Sequence, residues 1–170
     1  MADRPRVGIS RCLLGELVRY DGGHKHEPSL IQALGADVEW VPVCPELEVG
    51  MGVPREPIQL VNAGDGLRVR LAGVDTGADW TDRMRVWASE RLATLEALGL
   101  AGFVLKSRSP SCGPQGVPVS NGEPSPGMFA QALVAAMPDL PVEDEERLRD
   151  PEARASFLAR VSGYRRHVDV

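Results

Sequence analysis

Arg6-Val7-Gly8-Ile9, followed at once by Ser10-Arg11-Cys12-Leu13-Leu14-Gly15, is a short apolar run that ends in a turn carrying a cysteine. The pattern recurs twice. Val38-Glu39-Trp40-Val41-Pro42-Val43 leads into Cys44-Pro45-Glu46. Gly102-Phe103-Val104-Leu105-Lys106 leads, through a loop, into Ser109-Pro110-Ser111-Cys112-Gly113-Pro114. Short β-branched runs bounded by turn residues read as buried strands. Each thiol is therefore expected to project from the C-terminal end of a strand. In an open α/β sheet those ends share one edge, and that edge is where ligand sites form. The chain has three cysteines, and all three are expected to meet there although 32 and 68 residues separate them.

The intervening segments supply helices. Pro28 to Leu34 has helical spacing, with Pro28 near its start and Gly35 as a stop signal. Trp80 to Leu98 carries an apolar stripe of Met84, Trp87, Leu92, Leu95 and Leu98. Met128 to Met137 and Pro151 to Val161 read as two more helices. Ile58 to Val61 and Leu67 to Leu71 flank Asn62-Ala63-Gly64-Asp65-Gly66 as a hairpin. Pro45 to Pro57 is expected to be irregular. So is Lys106 to Gly127, whose length marks a functional segment. Asp75-Thr76-Gly77 reads as a turn and helix start. The fold class is α/β: a single domain over residues 1–170, with a mostly parallel, Rossmann-like sheet flanked by helices and the cysteines at strand C-terminal ends.

Hydrophobic residues make up 43% of the chain and charged residues 25%, as in an ordinary globular protein. The net charge of −5 argues against a chain built to coat nucleic acid. Arginine supplies 17 of the 19 basic residues, and its planar fork suits phosphate or carboxylate contacts. Neither a leader-like segment nor a run long enough to span a membrane is evident, so the expectation is a cytoplasmic protein with reduced thiols and no membrane partner.

The residues alone leave four chemistries open. A free cysteine is commonly a buried small hydrophobe, but three in Gly/Pro/Ser-rich turns at strand ends are not expected to be that. Zinc is the second reading. It usually takes paired C-x-x-C ligands that this chain lacks, and a fourth ligand would fall to His24, His26 or a carboxylate. An iron–sulfur cluster is the third: a cubane held by three thiolates leaves one iron open to act as a Lewis acid, with a preference for a soft sulfur ligand. The fourth, a cysteine nucleophile with a histidine partner, leaves two cysteines unexplained.

Several motifs together resemble a known family. Ser10-x-Cys12-Leu13-Leu14-Gly15, Arg19-Tyr20-Asp21-Gly22, Pro42-Val43-Cys44-Pro45-Glu46 and Pro54-Arg55-x-Pro57 carry its first half. Leu105-Lys106-Ser107-Arg108-Ser109-Pro110-Ser111-Cys112-Gly113 and Leu140-Pro141-Val142-Glu143 carry the rest. This is similar to the thiouracil desulfidase (TudS) family, over roughly residues 6 to 160. The resemblance implies a [4Fe-4S] cluster held by Cys12, Cys44 and Cys112, with the fourth iron free for substrate sulfur. It implies removal of sulfur from a thiolated nucleobase or nucleoside without net redox change. Thiolated RNA is a less favoured substrate. Glu46 matches the motif acid that would activate water or shuttle a proton, and Ser109 matches the motif serine that would hydrogen-bond the substrate.

Other polar residues are assigned no fixed role. Arg19, Tyr20 and Asp21 can close over the pocket, Arg55 can hold a loop or meet a phosphate, and Lys106 can contact substrate or pair with Asp75. Ser111 reads as a turn hydroxyl. His24, His26 and His167 are expected to take no part in the chemistry. A metal- or redox-sensing binding protein and a zinc hydrolase stand as alternatives.

Overall fold

The computed structural model describes residues 3–64 and 68–168. The first expected strand is β1 (Arg6–Ser10), and α1 (Pro28–Gly35) connects it to β2 (Glu39–Val43). A short helix, α2 (Pro45–Glu48), follows at once. An antiparallel pair comes next, β3 (Ile58–Asn62) with β4 (Val69–Gly73), then the long helix α3 (Thr81–Ala97) and β5 (Leu100–Leu105). The chain ends through β6 (Val117–Ser120), β7 (Gly122–Ser125), α4 (Met128–Ala136), β8 (Val142–Asp144) and α5 (Pro151–Val168).

The main sheet has the order β2-β1-β5-β8, and every pairing in it is parallel. Parallel strands need crossovers and become buried on both faces. Strand β5 shows this: all six residues are buried, and its side chains divide between two cores. Leu100, Phe103 and Leu105 point into a core shared with α3 and α4. Ala101 and Val104 point into a core shared with α1 and α5. The strand order reverses at β1, which places a crevice at the carboxyl ends beside it.

Gly8 makes the central pairing possible. A Cβ built there would lie 2.4 Å from the ring of Phe103, which is fully buried and cannot move aside. Gly8→Ala is therefore expected to cost about 1–3 kcal/mol by overpacking. Denaturant unfolding checks this, through a lower midpoint at unchanged slope.

Four expectations need correction. The segment from Lys106 to Gly127 is not structureless: it holds β6 and β7, an antiparallel hairpin. Strand β6 pairs in parallel with β3, so two excursions from the carboxyl edge join into a second sheet of order β4-β3-β6-β7. Leu60, Leu71, Val117 and Val119 pack it against Met84 of α3. The segment from Pro45 to Pro57 opens with a helical turn instead of being wholly irregular. On α3, Leu98 drops out of the stripe and lies at the surface, while Ala88 takes a core position. The turn at 75–77 precedes a helix that starts only at Thr81, whose amide is accepted by Asp79 Oδ1 at 2.9 Å. Asp65, Gly66 and Leu67 of the expected hairpin, and the side chain of His167, lie outside the described residues.

Candidate active site

The three cysteines do meet. A cavity of about 460 Å³ opens at the carboxyl edge of the main sheet, and Cys12, Cys44 and Cys112 all line it, with Glu46, Lys106 and Ser109. Cys12 sits in a turn of 3-10 helix immediately after β1, and that turn closes on Gly15 at φ +89°, a conformation suited to glycine. Cys44 is the residue after β2 and heads α2. Cys112 lies in the loop after β5. Its amide donates to Ser109 Oγ at 3.1 Å, Gly113 N donates to Ser109 O at 2.8 Å, and Gly127 N donates to Gly113 O at 2.7 Å. The Ser-Pro-Ser-Cys-Gly sequence is thus a hydrogen-bonded turn that aims one thiol.

All three thiols are free. Burial, then the Glu46 carboxylate, pushes Cys12 up to about 11 and Cys44 up to about 12. The same two causes raise Cys112 well above the ordinary thiol range, against a hydrogen bond to Ser10. Such groups are protonated and weakly nucleophilic at neutral pH, which disfavours the single-nucleophile reading. Thiols of this kind ionise when a metal takes the place of the proton. Among the described residues, no three or more His, Cys, Asp or Glu side chains are grouped to hold a single metal ion. A cluster is a larger body and is reached by thiolates set around a cavity. A donor set of three sulfurs on one cavity fits it in softness and would leave one iron of a cubane without a protein thiolate.

The Glu46 charge acts on all three thiols. Glu46 Oε2 lies 3.7 Å from Cys44 Sγ, which donates to it. The helix-capping contact belongs to another residue: Cys44 N donates to Glu48 Oε2 at 2.9 Å, and Glu48 also pairs with Arg91 at 3.0 Å. Glu48 completes the turn and leaves Glu46 to face the cavity.

Lys106 does not pair with Asp75. Its Nζ lies 2.8 Å from Glu145 Oε1 and donates to Ser107 O at 2.8 Å. Glu145 is 2% exposed and accepts from Ser107 N at 2.7 Å and Ser107 Oγ at 2.6 Å. Sequence reasoning missed this carboxylate, which ties the end of β5 to the segment after β8 and sets the entry to the Cys112 loop. Burial works to raise its pKa, but the hydrogen bonds from Lys106 and Ser107 hold it below the usual range. The depressed folded value makes its stabilising effect complete above the unfolded carboxylate pKa, near 4.3, and lost as pH falls through the folded value. Glu145→Gln is expected to lose about 3 kcal/mol at pH 7, because a nearly buried ammonium is left without its charge partner. The difference from the parent should shrink toward pH 3. Denaturant titrations at both pH values check this.

Arg55 holds a loop: its Nη1 donates to Gly52 O and its Nη2 to Val18 O, both at 2.8 Å. Arg19 lies over the Tyr20 ring, 5.7 Å from its centroid, and Asp21 Oδ1 accepts from Gly23 N. Arg19, Tyr20 and Arg55 line the cavity, as does Ser10, whose Oγ accepts from Lys106 N at 2.9 Å. Ser111 is fully buried and does not line the cavity, and its hydroxyl has no hydrogen-bond partner. His24 and His26 contact each other at the surface, outside the cavity lining.

Two buried thiols, a half-buried third and a carboxylate line a cavity on the carboxyl edge of a parallel sheet, which defines an α/β protein with a sulfur-rich site. The chain belongs to the 2-thiouracil desulfurase family, whose model matches residues 7–145. It is 33% identical over 108 residues to the uncharacterized protein YbbK of Bacillus subtilis (strain 168), a match that covers 62% of this chain and 71% of that one. Its fold is similar to the solved structure of a [4Fe-4S]-dependent thiouracil desulfidase, TudS. The TM-score is 0.70 at 28% identity, over 90% of this chain and 97% of that one. Among the described residues, no helix is long and apolar enough to cross a membrane.

Proposed function

We propose that this chain is an iron–sulfur-dependent desulfidase, acting as one domain, that converts thiolated uracil derivatives to their oxo forms and releases sulfide without net redox change. The observation that carries this reading is the set of three free thiols lining one cavity, two buried and one half-buried, with the Glu46 carboxylate on the same lining and against Cys44. Cys12, Cys44 and Cys112 would hold the [4Fe-4S] cluster as thiolates. When bound, the cluster supplies one iron without a protein thiolate, open to a soft sulfur ligand such as a thione.

The chain's own groups then have defined tasks. Glu46 takes a proton from a water molecule as the water oxygen bonds to the ring carbon, and it returns a proton to the departing sulfur. Thione plus water gives carbonyl plus hydrogen sulfide, so atoms and electrons balance with no reductant. The Ser109 oxygen already accepts two backbone amides, from Ser111 at 3.2 Å and Cys112 at 3.1 Å. Its remaining capacity is its own O–H, directed at a substrate acceptor. The apolar lining, including Val18, Val43 and Ile58, limits bulk water around the reacting carbon. The substrate can be the free thiouracil, the thionucleoside or its phosphate.

Turnover of thiouracil in ¹⁸O-labelled water, with no reductant present, tests the reaction class. The expected product is uracil carrying one ¹⁸O per sulfur released. Product without the label, or a requirement for reductant, would contradict hydrolysis.

A further inference from the structure

Among the residues that line the cavity there is one aromatic ring, that of Tyr20. Tyr20 is 39% exposed, with the Arg19 guanidinium over its ring at 5.7 Å from the centroid, which leaves the rest of the residue open to a ligand. The segment that carries it is braced from within and from without. Arg19 N donates to Gly23 O at 3.1 Å, and Gly22 N donates to Arg19 O at 2.9 Å. Gly22 permits that turn at φ +79°. Outside the turn, Arg55 N donates to Tyr20 O at 2.8 Å, and the Arg55 guanidinium links Val18 O to Gly52 O. Val18 and Tyr20 are therefore pinned to the loop before β3, and residues 19 to 23 are closed by their own turn. The ring is presented on a fixed support, not on a free loop.

The rest of the lining is aliphatic, thiol, hydroxyl or charged, and several of its charges are already paired. Arg108 pairs with Glu146, Arg149 with Glu27, and Lys106 with Glu145. None of these is an aromatic ring, and the guanidinium planes of Arg108 and Arg149 are engaged by carboxylates. A planar heterocycle is best held by an aromatic plane, and such stacking accepts any base because every base has a π-face.

The geometry points to Tyr20 as the stacking platform that selects planar, aromatic heterocycles for this cavity, with Arg55 as the residue that positions it. This rests on the reading of the cavity as a pyrimidine site. It adds the feature that separates a conjugated ring from a saturated one with the same hydrogen-bonding edges.

Uracil and 5,6-dihydrouracil make that comparison. Both lack sulfur, so neither binds through a thione, and only uracil is flat and aromatic. Binding of each to the reconstituted protein is measured by calorimetry for the parent chain, Tyr20→Ala and Tyr20→Phe. The parent is expected to favour uracil. Tyr20→Ala is expected to bind uracil about 10-fold to 100-fold more weakly, from the usual range for loss of one base–aromatic stack. Its affinity for dihydrouracil should be little changed. Tyr20→Phe should restore the preference, since the ring and not the hydroxyl carries it. An unchanged preference in Tyr20→Ala, or a parent that binds both compounds equally, would overturn the stacking role and leave the proposed reaction standing. A parent that binds neither compound would overturn the pyrimidine site together with it.

Discussion

Cys112→Ala is expected to fold and to lose its iron. The thiol is 4% exposed, and its removal leaves a small cavity worth about 1 kcal/mol of stability. The turn around it survives, because its hydrogen bonds run through the Ser109 side chain and the backbone of Gly113 and Gly127, not through sulfur. Cluster retention has no such redundancy. With three sulfurs on the cavity, deleting one leaves a cubane only two protein anchors. Iron content after anaerobic reconstitution should fall from about four per chain, as one cubane requires, to near zero. The visible absorbance of the cluster should go with it. Cys12→Ala and Cys44→Ala should behave alike. A variant that keeps full iron would remove that cysteine from the ligand set.

Glu46→Gln should give the opposite pattern, with iron retained and turnover lost. The substitution keeps shape and volume beside Cys44 and leaves the capping carboxylate, Glu48, in place. It removes the group able to accept a proton within reach of the thiols. General acid–base catalysis contributes roughly 10²–10⁴-fold, so the rate should drop by that factor at unchanged iron content. Glu48→Gln is the informative contrast. It should weaken the α2 turn and the contact with Arg91, and so act on stability more than on rate. A normal rate for Glu46→Gln would show that another group moves the proton.

The parts of this molecule that could be read from the chain are those with a strong local signal. Strands β1 and β5 are apolar because they are covered on both faces, the edge strand β2 is partly covered, and the turns that follow all three carry the thiols. The motif around Cys44 placed Glu46 two residues beyond a cysteine, and the structure sets its carboxylate against that thiol. The second sheet left almost no trace. In Val117-Pro118-Val119-Ser120 only two side chains are buried, and Gly122-Glu123-Pro124-Ser125 is largely exposed. Their strand character comes from pairing with β3 and with each other, which local propensity does not encode. Strand β8, three residues with two acids, is likewise made by its edge pairing to β5.

Glu145 shows the same limit at the site. It stands in the run Glu143-Asp144-Glu145-Glu146, and nothing local separates it from its neighbours. Packing decides: Glu143 and Glu146 meet arginines nearer the surface, while Glu145 turns inward to Ser107 and Lys106. The charge of Lys106 suggested a partner but not which one, because Asp75 and Glu145 are equally acidic in sequence and only the fold brings one of them close.

Anaerobic reconstitution with iron and sulfide, followed by addition of 2- or 4-thiouracil, tests the central claim most directly. The expected result is a brown protein with about four irons per chain and loss of the thione absorbance as sulfide appears. A colourless protein that takes up zinc instead, or a brown one that leaves every thiolated uracil derivative intact, would contradict it.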